Sequence, residues 1–185
     1  MVTLIGFSGS LRSHSLNTAL LRAAAGMVPG DAELRIESIA AIPLYNGDIE
    51  SEGIPAAVAQ LKDAVAAADG LVLATPEYNN SVPGVAKNVI DWMSRPPADS
   101  ARVFGGKPVA LLGASPGSFG TALAQSAWLP VFRILGADLW AGPRFALPRA
   151  NGVIGPDGEI ADASTREQLA KFVTGFVAYV QGRKG

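Results

Sequence analysis

Short apolar runs alternate along the chain with longer segments in which apolar residues recur every three or four positions. Three runs are typical of buried strands, because each is continuous and ends in small or turn-forming residues: Val2 to Phe7, Gly70 to Ala74 and Pro108 to Gly113. Two further strands are predicted from Glu33 to Ile39 and from Ala137 to Ala141. The pattern therefore predicts five strands.

The segments between these strands predict helices. Apolar residues from Leu16 to Met27 keep the spacing that places one apolar stripe on a helix. Further helices are expected near Pro55 to Ala68, Val85 to Ser94 and Gly120 to Leu135. The apolar residues from Leu169 to Val180 keep the strictest helical spacing of all. The chain is therefore expected to end in a long helix.

The ends of this last helix also carry sequence signals. Ser164 and Glu167 have the spacing of a capping box, in which each side chain accepts a hydrogen bond from a backbone N–H at the start of a helix. Gly182 can end the helix. We therefore expect the helix to begin at Ser164 and to stop near Gly182.

Strands that alternate with helices predict a parallel sheet with right-handed crossovers and helices on both faces. With 185 residues, the chain 1–185 has the size of one such domain. In doubly wound sheets, ligands bind at the carboxyl ends of strands where the winding direction reverses. The loops after the first, third and fourth predicted strands are therefore the candidate binding loops.

Composition and charge exclude several classes of function. Lys and Arg total 15 against 16 for Asp and Glu, so no excess positive charge favours nucleic acid or an acidic membrane as a partner. The absence of cysteine excludes thiolate catalysis and iron–sulfur clusters, and a single histidine excludes a histidine metal cluster. Redox chemistry would need an organic cofactor or a metal without sulfur ligands. Without a basic leader or a long apolar run, we expect a cytoplasmic protein with no membrane segment.

The loop after the first predicted strand is rich in hydrogen-bond donors. It leads directly into the first predicted helix, whose first N–H groups are unpaired and lie at the positive end of the helix dipole. This arrangement predicts a phosphate site, formed by Ser10, Arg12, Ser15, Leu16 and Asn17. The alternative is an ordinary turn in which a serine or asparagine caps the helix.

Glycine spacing in this loop disfavours two other nucleotide sites. The chain has no G-x-x-x-x-G-K-[ST] motif, and Gly6 and Gly9 do not fit G-x-G-x-x-G. ATP and a dinucleotide bound in the Rossmann manner are therefore less favoured. Gly9 would let the backbone approach a bound phosphate closely.

The pattern Ser10-x-Arg12-x-x-Ser15-x-Asn17 resembles the phosphate loop of the NADPH-dependent FMN reductase family, which includes bacterial chromate and quinone reductases. Residues 75–84, Thr-Pro-Glu-Tyr-Asn-Asn-Ser-Val-Pro-Gly, are similar to that family's flavin-ring segment, and residues 113–117 with Gly120 are similar to its third loop. The three segments have the family's order and spacing. The resemblance extends from residue 2 to about residue 180.

This resemblance implies a flavodoxin-like fold with a five-stranded parallel sheet in the order 2-1-3-4-5. It implies FMN as the cofactor, with NADPH or NADH as co-substrate. The backbone of residues 76–79 would meet the ring edge of the flavin, and residues of the third loop would meet its pyrimidine end. The residues concerned are Pro76, Glu77, Tyr78, Asn79, Ser115 and Gly117. Each segment could also be a plain turn rich in Pro, Gly and Ser, and Tyr78 could pack in a subunit contact.

The implied reaction is a ping-pong transfer in which NAD(P)H reduces FMN and a small acceptor then takes the electrons. The family suggests quinones, chromate, azo compounds or free flavin as acceptors. No side chain is nominated as catalytic, because the cofactor carries the chemistry. The alternatives are an electron-carrying flavodoxin, which the net charge of −1 disfavours, and a flavin sensor without turnover.

The resemblance also predicts a homodimer or homotetramer with the flavin near a subunit boundary. Arg95 and Arg102 flank a predicted loop that could reach NAD(P)H or a neighbouring subunit.

Overall fold

A computed structural model describes residues 1–155 and 157–183. In this part of the chain one parallel sheet is formed by β1 (Val2–Ser8), β2 (Ala32–Glu37), β3 (Gly70–Ala74), β4 (Pro108–Ala114), β5 (Asp138–Leu139) and β6 (Phe145–Leu147). The strand order is β2-β1-β3-β4-β5, and β6 also pairs with β4. The predicted flavodoxin-like topology is therefore confirmed.

Seven helices connect the described strands or follow them. They are α1 (Leu16–Ala25), α2 (Gly47–Glu52), α3 (Ala56–Ala67), α4 (Gly84–Met93), α5 (Pro97–Phe104), α6 (Ala122–Ile134) and α7 (Ala163–Gln181). The residue pattern did not predict α2 and α5, because α2 buries no residue and α5 buries only its last two. Over residues 1–155 and 157–183, no helix has both the length and the hydropathy to cross a membrane.

Successive residues of the buried strands pack on opposite faces of the sheet. In β1, Leu4 belongs to the core formed with α1 and α7, whereas Ile5 and Phe7 belong to the core formed with α3, α4, α5 and α6. This alternation follows from the two-residue repeat of a strand. Both faces are covered, which explains why these strands appear in the sequence as continuous apolar runs.

The edge of the sheet beside β4 differs from the prediction. The strand predicted from Ala137 to Ala141 has only the two residues of β5, and β6 continues along β4 after a break at residues 140–144. A Cβ on Gly142 would lie 2.1 Å from the ring of Trp140, so this glycine permits the chain to turn there. Pro143 cannot donate to a strand ladder. Two short strands therefore occupy the place of one.

The long last helix is confirmed, but its predicted start is wrong. Asp162 is the N-cap of α7 and accepts a hydrogen bond from the N–H of Thr165 at 2.7 Å. A hydrogen bond with the Thr165 side chain and then the one from its backbone N–H lower the pKa of Asp162. Ser164 lies inside the first turn, where its Oγ accepts from Gln168 instead. A carboxylate also interacts favourably with the helix dipole, which explains why aspartate takes the cap position. Gly182 ends the helix as predicted.

Candidate cofactor site

The carboxyl ends of β1, β3 and β4 border one open cleft, which we call the cofactor cleft. We call the segments beside it loop one (residues 9–15), loop two (residues 75–83) and loop three (residues 115–121). The cofactor cleft contains about 370 Å³ of open space. It is lined by Ser10, Arg12, Ser15, Leu16, Asn17, Pro76, Glu77, Tyr78, Ala114, Ser115 and Pro116. Every predicted site residue except Asn79 and Gly117 is in this lining.

Loop one packs directly on loop two through Gly9. The Gly9 N–H donates to the carbonyl oxygen of Ala74 at 2.8 Å. A Cβ on Gly9 would lie 3.0 Å from the side chain of Ala86 and 3.1 Å from those of Pro76 and Pro83. This glycine therefore allows two loops to pack closely, and its contact with a phosphate stays a prediction.

The donors of loop one remain available to a ligand. The Ser10 hydroxyl accepts from the N–H of Arg12 at 3.4 Å, and a hydroxyl that accepts can still donate. The Arg12 side chain is exposed at the cleft and forms no ion pair with any residue that the structure describes. Ser15 caps α1 by accepting from the N–H of Thr18 at 3.2 Å, which confirms the helix-cap alternative for this residue.

The start of α1 adds backbone donors to the same wall of the cleft. Leu16 and Asn17 are the first two residues of the helix, and the N–H groups at these positions have no acceptor within a helix. With Ser10 and Arg12, they form a set of hydroxyl, guanidinium and N–H donors. Such a set suits a dianionic phosphate.

The Asn17 side chain is committed to the protein itself. Its Nδ2 donates to the carbonyl oxygen of Ala114 at 2.9 Å, and its Oδ1 accepts from the Ala114 N–H at 2.9 Å. The side chain is 4% exposed, so no water replaces these bonds. Asn17 therefore joins α1 to the end of β4, and only its backbone N–H is left for a ligand.

Loop two contains a tight hairpin turn. The N–H and carbonyl groups of Tyr78 and Ser81 pair reciprocally at 3.1 and 3.0 Å. Asn79 and Asn80 between them have φ angles of 50° and 60°, which is the left-handed region that asparagine tolerates. Asn79 therefore lies at the exposed tip of the turn, outside the cleft lining. Tyr78 is 44% exposed and lines the cleft.

Glu77 fixes loop two to the start of α6. Its Oε2 accepts from the N–H groups of Leu123 and Ala124 at 2.8 and 3.0 Å. The N-cap residue of this helix, Thr121, provides no side-chain cap hydrogen bond, so the carboxylate of loop two takes over that function. The backbone of loop two is thereby held beside the cleft.

Loop three is held by its own hydrogen bonds and by the segment that follows β6. The Ser115 hydroxyl donates to the carbonyl oxygen of Gly120 at 2.6 Å, and the Ser115 N–H donates to Leu147 at 3.1 Å. The Gly117 carbonyl oxygen accepts from the Arg149 N–H at 3.0 Å. Gly117 therefore faces this segment and does not line the cleft.

Two residues of the cleft lining were not predicted. Ala114 ends β4, and Pro116 follows Ser115 in loop three. Neither side chain carries a polar or titratable group, so only the position of these residues beside Ser115 could have indicated them.

The donor set of the cofactor cleft fits FMN. Arg12 is the one cationic side chain in its lining, and it lies on the wall that also carries the free N–H groups of α1. The one carboxylate in the lining, Glu77, is bound to α6. The opposite walls present Tyr78 and the backbone of loops two and three, which suits an uncharged flat ring.

The segment around Arg95 and Arg102 is not a loop. It includes α5, and Arg102 forms ion pairs with Asp99 at 2.5 Å and Asp63 at 2.9 Å. Hydrogen bonds from Arg102 and then from the buried Lys62 hold the pKa of Asp99 well below its usual value. Arg102 is therefore committed to packing α5 on α3.

Comparisons with known proteins give consistent results. Residues 2–152 match the family model for NADPH-dependent FMN reductase. The whole chain is 40% identical over 184 residues to an NAD(P)H-dependent FMN reductase of Pseudomonas aeruginosa and covers 98% of that protein. A 2-hydroxy-1,4-benzoquinone reductase of a Burkholderia species is 40% identical over 95% of this chain and 94% of that relative. The solved structure of FerB, a flavoenzyme NAD(P)H:(acceptor) oxidoreductase of Paracoccus denitrificans, has a TM-score of 0.89 and 34% identity over 98% of both chains.

Proposed function

Because the chain belongs to the NADPH-dependent FMN reductase family, we propose that it binds FMN in the cofactor cleft and uses NAD(P)H to reduce quinones. The observation that carries the site assignment is the convergence of three separately predicted loops on one cleft. These loops are far apart in the sequence, and the sheet topology brings them to one edge.

Loop one would hold the phosphate of FMN. Ser10, Arg12 and the first N–H groups of α1 supply charge-assisted and neutral hydrogen bonds. Tyr78, Ser115 and the backbone of Pro76 and Glu77 would border the ring. Bound FMN supplies the redox chemistry by accepting a hydride from NAD(P)H and passing electrons to the acceptor.

The chain contributes orientation and a fixed electrostatic environment. Glu77 ties loop two to α6, and the packing at Gly9 ties it to loop one. Polar groups held in this way need not reorganise when the charge of the ring changes, which favours transfer. No side chain of the cleft is required to act as an acid or a base.

Quinones are the acceptors that we favour. Both relatives are named as reductases, and the name of one specifies a benzoquinone. These names favour a reductase over an electron carrier or a sensor. The net charge of −1 also disfavours an electron carrier. Chromate, azo compounds and free flavin remain predicted acceptors, since an open flavin face selects poorly among flat oxidants.

A homodimer or homotetramer is the assembly that we propose. Tyr78, Leu123 and Phe119 are 44%, 45% and 77% exposed at or near the cofactor cleft, and exposed apolar groups of this kind favour contact with a second copy. Light scattering that shows only a monomer would contradict this assembly. We also propose a cytoplasmic location, where NAD(P)H is available.

Anaerobic reduction tests the function. The purified protein with bound FMN should lose its yellow colour within seconds of NADPH addition, and a quinone should then restore it. A yellow protein whose colour NADPH and NADH both leave unchanged would support a carrier or a sensor instead.

A further inference from the structure

Two buried polar side chains meet beneath the start of loop two. The Thr75 hydroxyl accepts a hydrogen bond from the Trp128 Nε1–H at 3.0 Å, and it donates to the carbonyl oxygen of Pro76 at 2.9 Å. Thr75 and Trp128 are both 0% exposed. An indole N–H can only donate, so the single proton of the hydroxyl is left for the Pro76 carbonyl. The direction of both hydrogen bonds is therefore fixed.

These hydrogen bonds hold the carbonyl of the peptide between Pro76 and Glu77 inside the protein. The peptide is trans, so its N–H, which belongs to Glu77, points in the opposite direction from its carbonyl. The Glu77 N–H thus points away from the buried threonine, and both residues of the peptide line the cofactor cleft. Over residues 1–155 and 157–183, no group accepts a hydrogen bond from this N–H. It is a free backbone donor beside the cleft.

The direction of this peptide depends on the Thr75 hydroxyl. A peptide rotates through the two soft dihedral angles beside it, which here are ψ of Pro76 and φ of Glu77. The proline ring fixes only its own φ, so it does not prevent this rotation. The carboxylate of Glu77 binds α6 through a flexible stem, which holds the loop in place without fixing these two angles. The buried hydrogen bond from Thr75 fixes them.

A flavin ring would respond differently to the two ends of this peptide. Transfer of a hydride from NAD(P)H, which leaves as NAD(P)⁺, turns the ring nitrogen that receives it from a hydrogen-bond acceptor into a donor. A fixed backbone N–H therefore pairs with the oxidised ring, whereas a carbonyl oxygen would pair with the reduced ring. Hydrogen bonds to ring nitrogens are one means by which a protein sets the potential of its flavin.

We propose that Thr75 is a positioning residue that presents the Glu77 N–H to the ring of bound FMN and keeps the Pro76 carbonyl away from it. Trp128 orients the Thr75 hydroxyl for this role. The arrangement favours the oxidised ring and lowers its midpoint potential, so that the reduced ring passes its electrons on readily to a quinone. The inference rests on the proposed function, because it concerns FMN in the cofactor cleft.

The midpoint potential of FMN bound to two variants tests the role of the hydroxyl. Thr75→Val nearly keeps the shape of the side chain but removes the donor to Pro76, so the carbonyl can turn toward the reduced ring. The equilibrium constant for two-electron reduction should rise about tenfold, which raises the midpoint potential by about 30 mV. Thr75→Ser keeps the hydroxyl and should keep the potential of the wild type. A Thr75→Val protein that binds FMN with the wild-type potential would overturn the proposal.

Thr165→Val is the matched control for the loss of a buried threonine hydroxyl. Thr165 is 9% exposed on α7, its side chain hydrogen-bonds Asp162, and it is not in the lining of the cofactor cleft. Both valine variants should lower the melting temperature of the FMN-free protein, but only Thr75→Val should change the potential. Equal changes of potential in the two variants would reveal a general structural effect and would also overturn the proposal.

A measurement on the unmodified protein decides if Thr75→Val does not fold or does not bind FMN. In protein and FMN that both carry ¹⁵N, a hydrogen bond from the Glu77 N–H to the ring nitrogen should give a scalar coupling between the two nitrogen nuclei. This coupling should be present in the oxidised protein and lost on reduction. Its absence from oxidised protein that holds FMN would contradict the role of Thr75.

Failure of this inference is distinct from failure of the proposed function. A protein that NADPH reduces, and whose flavin potential Thr75→Val leaves unchanged, keeps its function and loses only the role assigned to Thr75. A protein that does not bind FMN gives neither a flavin potential nor a coupling, and it loses the proposed function itself.

Discussion

Loop one and the opposite walls of the cofactor cleft have similar polar compositions but use their side chains differently. Ser10 and Arg12 in loop one make few bonds within the protein and face the cleft. Glu77 and Ser115 in loops two and three bind backbone groups of the protein at 2.6 to 3.0 Å. The donors of loop one are therefore available to a ligand, whereas the polar side chains of loops two and three stabilise the conformation of the protein.

This difference separates binding residues from scaffold residues within a single cleft. A free donor contributes to ligand affinity and little to folding. A donor or acceptor already paired inside the protein contributes to folding, and its loss affects the ligand only through the shape of the cleft. Substitutions on the two sides should therefore change different measured quantities.

The largest expected effect is on folding, at Asn17. Asn17→Ala leaves the buried N–H and C=O groups of Ala114 without their partners. We expect a loss of about 2 to 4 kcal/mol in the free energy of unfolding, measured by urea denaturation. Asn17→Asp keeps one acceptor but sets a buried carboxylate against the carbonyl oxygen of Ala114, so it should lose at least as much. An unchanged stability with weakened FMN binding would place Asn17 among the binding residues instead.

The next effect is on binding, at Arg12. Arg12→Ala should weaken FMN binding by about 1.5 to 3 kcal/mol, because it removes a charge-assisted hydrogen bond to the phosphate. Its unfolding free energy without FMN should change by less than about 0.5 kcal/mol, as for other exposed positions. Fluorescence titration measures the affinity. An unchanged affinity would remove Arg12 from the site.

Glu77→Ala should act on the scaffold with a smaller effect. It removes the carboxylate that caps α6, so the free energy of unfolding should fall by about 1 to 2 kcal/mol. Glu77→Gln keeps an acceptor and should lose less. Thermal or urea denaturation of the FMN-free protein measures the difference. Equal stability of Glu77→Ala and the wild type would show that the observed cap contributes nothing.

Ser15 both caps α1 and lines the cofactor cleft. Its substitution should have the smallest effect on the free energy of unfolding. Ser15→Ala removes the cap of α1 and should lower the free energy of unfolding by about 1 kcal/mol. It also removes a hydroxyl from the phosphate wall, so FMN affinity should fall as well. If only stability falls, Ser15 is a helix cap and no more.

The residue pattern was sufficient to predict a parallel sheet and its candidate binding loops, whereas the strand order came from the family resemblance. Buried strands and strand-end glycines, serines and prolines are local signals, and the parallel order places their carboxyl ends at one edge. The partners of Asn17 and Glu77 were not predictable, since they lie 97 and 46 positions away along the chain. A side chain that binds a distant backbone has the same sequence signature as one that binds a ligand.

Two local predictions failed because a competing interaction was stronger. The cap of α7 moved from Ser164 to Asp162, whose charge also suits the helix dipole. The predicted fifth strand was interrupted where the ring of Trp140 lies against Gly142. Both outcomes depend on side-chain geometry that residue patterns do not contain.

Parallel titration of FMN and riboflavin into the cofactor-free protein tests whether loop one binds the phosphate of FMN. If the free donors of loop one bind the phosphate, flavin fluorescence should report at least about tenfold tighter binding of FMN than of riboflavin. Equal affinities for the two flavins, or no change in fluorescence with either, would contradict the account.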